Sequence, residues 1–471
     1  MNRFSDLGPW WLTAAIGLLD LFAIARALVR GHGVTSTLAW ICGVIAFPGV
    51  GALAYLLLAN PSVRRTVRRR VAASISVDSA GLVEHLVAPD ERRLATLATE
   101  LTGITPSSGN RVKLLVEEDL AFESIEAALA QAGETIWAEY YIVRNDETGH
   151  RFLDLLADRA RAGVRGLLLY DAVGSRGLDG ARLQAIRAAG GRVEPFLPLN
   201  PLRRRWAVHL RNHRKLIVVD GRVAFTGGMN VGDEYSGRSK LKGGQHFRDT
   251  HLSIEGPAVR HYAELFTEDW KFATDEAIAI ADRSSIEPGS SFVCPLPSGP
   301  DQSLNASAHV FFAGIMTARR HCFITTPYFV PDEPTIRALV TAAQSGVDVR
   351  ILVPARCDVR VVGAAARSFY RELVRGGVRI FEYQPSMLHA KCMVVDNRWG
   401  LVGSANVDMR SFRLNFEIGA LIMDESFAEL MARRFLDDLD ASTEVTRESL
   451  LRVGMHHQLV QGAARLLSPI L

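Results

Sequence analysis

Two stretches of this 471-residue chain follow one pattern: His213-Arg-Lys215-Leu-Ile-Val-Val-Asp220 with Gly227-Gly228-Met-Asn230, and His389-Ala-Lys391-Cys-Met-Val-Val-Asp396 with Gly403-Ser404-Ala-Asn406. Histidine and lysine two residues apart on a strand project to one face, because strand side chains alternate. The apolar residues that follow predict a core strand, and the aspartate ends it before a tight turn. The glycines after the next short strand allow close backbone approach, and Asn230 or Asn406 adds a polar contact. A lone His-x-Lys is a weak signal. Two copies with matched Asp, Gly and Asn positions predict two halves of one site.

Working outward, further matches run in the same order. Tyr141-Ile-Val143 pairs with Tyr328-Phe-Val330, Ala162-Gly-Val164 with Ser345-Gly-Val347, and Gly190-Gly-Arg-Val193 with Gly376-Gly-Val-Arg379. Helix, Gly-Val turn and buried strand form a βαβ rhythm. The expected fold class is α/β, a duplicated body of two mostly parallel sheets flanked by helices. The expected boundaries are 71–281 for the first half, 282–303 for a Ser, Pro and Gly-rich linker, and 304–471 for the second half. Only the first copy carries extra residues around Pro198–Val208. They include Arg203, Arg204, Arg205 and Trp206, a phosphate or membrane contact or else a solvated loop.

A phosphodiester needs a nucleophile for phosphorus, a proton donor for the leaving oxygen and cations for the non-bridging oxygens. Two histidines and two lysines supply all three. One neutral histidine can attack to give a phosphohistidine while the other protonates the departing alcohol and later deprotonates the incoming one. No metal or other cofactor is required, since Lys215 and Lys391 can neutralise charge. Each imidazole also needs an acid on its second nitrogen, and the candidates are Asp249 and Glu417, downstream of the first and second motifs.

Composition narrows the partners. The 54 Lys and Arg nearly balance 51 Asp and Glu, leaving +3 and no global attraction for nucleic acid. Five scattered cysteines without a CxxC pair argue against a disulfide framework or a zinc site, and Cys392 is expected to be a buried small residue. Two apolar runs open the chain: Trp10 to Val29, interrupted by Asp20 and Arg26, and Leu38 to Ala59, which has no charge. Each approaches the roughly 20 residues of a membrane span, so residues 1–70 are expected to form a transmembrane hairpin, its second span kinked at Pro48-Gly49. The cluster Arg64, Arg65, Arg68, Arg69 and Arg70 places the body in the cytoplasm by the positive-inside rule. The segment from Met455 has helical spacing and is expected to pack on the core, with a membrane-surface helix as the alternative; His456 and His457 there are expected at the surface.

The two motifs match HxKx4Dx6G[GS]xN of the phospholipase D superfamily. Gly228-Met-Asn230-Val-Gly-Asp-Glu-Tyr235, Phe247-Arg-Asp249-Thr-His251, Thr326-Pro-Tyr-Phe-Val-Pro-Asp332 and Asn406-Val-Asp-Met-Arg410-Ser-Phe-Arg-Leu-Asn415-Phe-Glu417 resemble bacterial cardiolipin synthases in particular. The resemblance implies phosphatidyl transfer between two phosphatidylglycerol molecules at the bacterial inner membrane, giving cardiolipin and glycerol. It further implies His213 and His389 as nucleophile and acid/base, Lys215 and Lys391 as phosphate ligands, Asn230 and Asn406 as supporting ligands, and Asp220 and Asp396 as turn-stabilising motif residues. Gly228 against Ser404 makes the two phosphate cradles unequal. A membrane-bound phospholipase D releasing phosphatidic acid is the alternative reading.

Overall fold

The computed structural model describes residues 10–30, 34–58, 89–116, 118–198, 210–237, 246–280 and 287–471. The arginine cluster at 64–70 and the Arg203–Trp206 insertion lie outside them. Two compact units are present, Met1–Thr66 and Val67–Leu471.

In the first unit α1 (Trp10–Arg30) is the one described helix long and apolar enough to cross a membrane. The second apolar run does not form a single span. It divides into α2 (Val34–Ala46) and α3 (Val50–Leu58), because Pro48 cannot continue a helix and Gly49 takes a positive φ of 75°. Asp20 of α1 meets this break: its Oδ1 accepts the freed Gly49 N–H at 2.9 Å. Ala23, Ala27, Val44, Ala52 and Tyr55 pack the three helices together. The carboxylate that interrupts the first apolar run therefore satisfies a broken backbone.

The second unit begins with α4 (Pro89–Thr102), β1 (Ser107–Leu115), α5 (Glu118–Gln131), β2 (Thr135–Tyr140), α6 (Glu147–Arg161), β3 (Arg165–Asp171), α7 (Gly180–Ala188) and β4 (Arg192–Phe196). The first motif lies on β5 (Arg211–Asn212), β6 (Lys215–Val219) and β7 (Val223–Gly227), followed by β8 (Phe247–Arg248), β9 (His251–Glu255) and α8 (Ala258–Thr274). β10 (Ser291–Ser298) and α9 (Ala306–Thr317) lead into the second copy: β11 (His321–Thr325), β12 (Phe329–Val330), α10 (Glu333–Gln344), β13 (Asp348–Pro354), α11 (Arg360–Arg375) and β14 (Arg379–Tyr383). The second motif lies on β15 (Met387–Leu388), β16 (Cys392–Val395) and β17 (Trp399–Gly403), then β18 (Val407–Asp408), β19 (Asn415–Met423), α12 (Glu425–Asp440), β20 (Ser442–Glu444), α13 (Arg447–Leu451) and α14 (Met455–Arg465).

Local chemistry explains the repeated rhythm. In α6 the buried Phe152, Leu153, Leu156, Ala157 and Ala160 form one stripe, and Asp146 caps the start by accepting the Gly149 N–H. In the corresponding α10 the buried stripe is Ile336, Ala338, Leu339 and Ala342, and the next helix, α11, buries Val362, Ala365, Ala366, Phe369 and Leu373. Phe369→Ala would cost about 3–5 kcal/mol of stability by the usual scale for a buried phenylalanine. Gly163 and Gly346, at φ of 91° and 92°, turn the chain from helix to strand in corresponding places.

The expected pair of mostly parallel sheets is corrected: one mixed sheet of 16 strands runs β20-β14-β13-β11-β16-β17-β19-β10-β1-β9-β7-β6-β2-β3-β4, with β5 attached to β19. Within it β2-β3-β4, β11-β13-β14 and the short β5-β19 pair are parallel, whereas each motif hairpin and the central strands pair antiparallel. The halves join where β1 meets β10, and β10 lies inside the stretch expected as a linker. It carries Pro295 and Pro297, which cannot donate to a ladder and are uncommon in a central strand. They are tolerated because the β10 pairing with β1 reaches only Ser291 to Val293, so beyond it the strand has one neighbour, β19. The apolar cores lie between helices and sheet in each half.

Candidate active site

Each motif histidine is placed by a contact with the opposite half. β5 runs parallel to β19, and the His213 N–H donates to the Phe416 carbonyl at 2.8 Å. β15 runs parallel to β8 in the same manner, and the His389 N–H donates to the Arg248 carbonyl at 2.7 Å. Glu417 follows Phe416, and Asp249 follows Arg248. Backbone register thus delivers the carboxylate of one half to the imidazole of the other: His213 Nδ1 is 2.9 Å from Glu417 Oε2, and His389 Nδ1 is 2.5 Å from Asp249 Oδ2. Both acids expected from sequence are used, in a crossed pairing. With Nδ1 donating to a carboxylate, Nε2 of each ring is the nitrogen left for chemistry.

Lys215 and Lys391 are 0% and 2% exposed. Each Nζ turns back to the carbonyl of its own motif histidine, at 2.7 Å for Lys215. Lys391 Nζ also approaches His389 Nε2 at 3.2 Å and Asp249 Oδ2 at 3.7 Å. It lies 2.7 Å from His389 Nδ1 as well. That nitrogen cannot both donate to Asp249 and accept from Lys391, and the shorter carboxylate contact decides for donation. Each histidine also feels the lysine of the other motif, so the four groups share one electrostatic site.

Burial is the strongest influence on both imidazoles and pulls each down to about 4, with the nearby lysines adding to it and the carboxylates opposing. Both are therefore neutral near pH 7. Burial likewise lowers both ammonium groups, Lys215 well below the ordinary lysine range. For the acids burial acts upward, but Lys391 and His389 outweigh it at Asp249, and His213 and Lys215 do so at Glu417, leaving both held below the usual range.

Asp220 and Asp396 lie at the far ends of the motif strands. Asp220 accepts the N–H groups of Gly133, Glu134 and Thr135 at 2.7 to 2.8 Å, and Asp396 those of Arg319, Arg320 and His321 over the same range. Both have positive φ, 51° and 55°. They pin β2 and β11 beside the motif strands. The asparagines differ. Asn230 is fully engaged, accepting the Ile142 N–H and donating to Tyr235 Oη at 3.0 Å, whereas the buried Asn406 Oδ1 has no partner among the described residues. A Cβ on Gly228 would collide with Asp249 Oδ1, while Ser404 donates to Glu417 Oε2 and accepts the Ile418 N–H at 2.9 Å. Cys392 is half-buried, a partial departure from the expected buried residue, and burial pushes its thiol up to about 12.

Sequence reasoning did not assign the aromatic wall. The Tyr141 ring lies 4.9 Å from the His213 ring, and Tyr235, Phe247 and Tyr328 lie 5.3, 5.5 and 6.4 Å from His389. Their signal was present, since Tyr141 and Tyr328 are matched positions of the repeat. Arg214 left no such signal because its counterpart is Ala390. It is buried, bonds Asp269, and donates Nε to the Glu417 carbonyl at 3.1 Å.

The family description "Cardiolipin synthase, PLD-like domain" matches residues 312–439, and "Phospholipase_D-nuclease N-terminal" matches residues 18–60. The chain is 39% identical over 450 residues to a cardiolipin synthase of Geobacillus kaustophilus, an alignment covering 92% of this chain and 89% of the relative. This chain belongs to the cardiolipin synthase family of the phospholipase D superfamily. Cardiolipin synthase A of Pseudomonas putida strain W619 is 38% identical over 480 residues, covering 98% of this chain and 99% of the other. Among solved structures, the phosphatidylserine synthase of Haemophilus influenzae matches with a TM-score of 0.60 at 16% identity, covering 80% of this chain and 100% of that one, a likeness of fold.

Proposed function

We propose that this chain synthesises cardiolipin by moving a phosphatidyl group from one phosphatidylglycerol to a glycerol hydroxyl of another. The observation that carries the reading is the pair of buried, neutral imidazoles, each with Nδ1 on a carboxylate of the opposite half, inside a member of the cardiolipin synthase family. Nε2 of one histidine attacks phosphorus, forming a P–N bond as the P–O bond to glycerol breaks. The other histidine gives its proton to the departing glycerol oxygen. It then takes the proton of the incoming hydroxyl, which attacks phosphorus and releases the first histidine.

Both imidazoles are neutral in the empty site, so the proton donor has to gain its charge when the substrate binds. A phosphodiester anion next to the ring favours that gain. Lys215 and Lys391 neutralise the non-bridging oxygens, with Asn406 as a further polar contact; Asn230 and Gly228 shape the other cradle, with Ser404 acting through Glu417. Asp220 and Asp396 act through the turns.

Residues 1–70 serve as the membrane segment, with α2 and α3 together making a second passage beside α1 and the body on the cytoplasmic face of the bacterial inner membrane. Residues 71–281 and 304–471 are the two duplicated halves. A lipid acceptor in the membrane plane outcompetes water by its local concentration, which favours transfer over hydrolysis. The test is incubation of membranes carrying the full chain with labelled phosphatidylglycerol and no added metal, followed by separation of the products. Cardiolipin with glycerol is expected; phosphatidic acid as the main product would make the protein a hydrolase.

A further inference from the structure

The last helix, α14, has its apolar side outward. Only Ala464 within it is buried. Met455, Leu459 and Leu466 follow i, i+4 and i+11 spacing along one stripe and are 74%, 66% and 81% exposed; Val460 and Leu467 flank it, and Leu451 precedes it. The opposite face packs on α11, where the Arg465 guanidinium lies 4.2 Å from the Phe369 ring centroid and 3.4 Å from Glu372. The segment rests on the core through Ala464, but its larger apolar side chains face outward, as in the membrane-surface alternative, and His456 and His457 are exposed as expected.

Beyond the stripe the chain reaches the segment that follows the second motif. The carbonyl of the last residue, Leu471, accepts the Arg410 N–H at 3.1 Å, and Arg410 follows Asn406 and acts electrostatically on Tyr141, the ring against His213. The exposed charge leading into the stripe is basic, Arg447 and Arg452 against Glu448, while Arg465 is taken up by Phe369 and Glu372 of α11. Apolar side chains outward with arginines along the same segment suit the boundary of an anionic phospholipid bilayer. A second copy of the chain fits less well, because one helix of 11 residues, roughly 16 Å long, offers far less than the about 800 Å² per partner of a standard interface.

We infer that this face is a membrane contact carried by the catalytic body itself, seated in the headgroup layer of an anionic bilayer and holding the mouth of the site against its lipid substrate. The inference rests on the proposed lipid reaction for its purpose, but its test reads depth rather than product. In the full chain with the exposed Cys42 replaced by serine, spin labels are attached at Leu459→Cys, Leu466→Cys and, as a control on α12, Leu430→Cys. The proteins are reconstituted into phosphatidylglycerol–phosphatidylcholine vesicles. Labels at 459 and 466 are expected to gain collisions with oxygen and lose them with a water-soluble nickel chelate, while the label at 430 stays water-like. Water-like labels at all three positions overturn the inference, as does spin–spin broadening at 459, which would assign the face to a second copy.

A functional arm uses the Leu459→Gln/Leu466→Gln double variant. On vesicles its cardiolipin formation should fall about tenfold, the equivalent of losing part of two leucine insertions. On monomeric short-chain phosphatidylglycerol it should match the parent. Equal loss on both substrates would mean a folding defect and remove the support. A parent that makes phosphatidic acid would sink the synthase reading while the label depths still judge the membrane face.

Discussion

Where the first half has Gly228, the second has Ser404, and the two halves reach the same end differently. In the first, Asp249 presses against a backbone with no side chain, and its carboxylate occupies the space a Cβ would need. In the second, the longer Glu417 is braced by the Ser404 hydroxyl and by Asn415, whose amide donates to Oε1 at 3.1 Å. The surroundings diverge as well: Arg214 and Asp269 support the Glu417 segment, while Arg248 and Asp438, 2.7 Å apart, support the Asp249 segment. Yet both imidazoles are depressed to about 4. Duplicated halves can drift in their scaffolding provided each still presents a carboxylate to the other's histidine.

The strongest way to break this comparison is to remove each histidine. His213→Ala and His389→Ala should each lower cardiolipin formation at least about 1,000-fold, since a nucleophile or an acid/base is lost. A variant with near-normal turnover would deny the two rings complementary roles. Next are the crossed acids. Glu417→Gln and Asp249→Asn should each cost about 100-fold in kcat, as loss of an orienting partner does. NMR titration should then show Glu417→Gln moving His213 far more than His389, and Asp249→Asn the reverse; same-half coupling would refute the crossed pairing.

The Gly/Ser difference gives a smaller contrast. Gly228→Ser must displace Asp249 and should lower activity more than Ser404→Gly, for which about a tenfold loss is expected from one missing charge-assisted hydrogen bond. Equal losses would mean the cradles are interchangeable.

A separate effect, on stability and not on turnover, concerns pH. His251 is fully buried, neither ring nitrogen has a partner among the described residues, and burial pulls it down to about 4. Between its ordinary value near 6.5 and about 4 the unfolded chain binds a proton that the native chain does not. Its contribution is therefore full above pH 6.5 and declines as pH falls through that window, by up to about 3 kcal/mol. His251→Leu should flatten part of the fall in thermal midpoint between pH 7 and 4.5 for the full chain in detergent. An unchanged slope would show that His251 is not a source of the acid sensitivity.

Much of this was legible in the sequence because the signals were local. The motif strands, the βαβ rhythm with its Gly163 and Gly346 turns, and the pairing of His213 and Lys215 with His389 and Lys391 follow from spacing. Long-range pairing was not legible. Nothing near His213 signals that β5 will lie beside β19, so the two acids could be nominated but not assigned. The single sheet was hidden because β10 carries two prolines in a stretch composed like a linker. The two-part second run was only hinted at by Pro48, since hydropathy alone counts residues and does not register a broken hydrogen-bond ladder. The direction of the α14 face stayed open between core and membrane surface because helical periodicity gives a stripe without saying which way it points.

In the proposed reaction a single covalent phosphohistidine serves the transfer between lipids. The most direct measurement is rapid acid-free quenching of the full chain turning over phosphate-labelled phosphatidylglycerol in the presence of a chelator, with the label then mapped on the protein. An acid-labile, base-stable adduct is expected on one of His213 or His389, absent when that residue is alanine. Cardiolipin formed at the normal rate with no adduct, or an adduct on neither histidine, would contradict it.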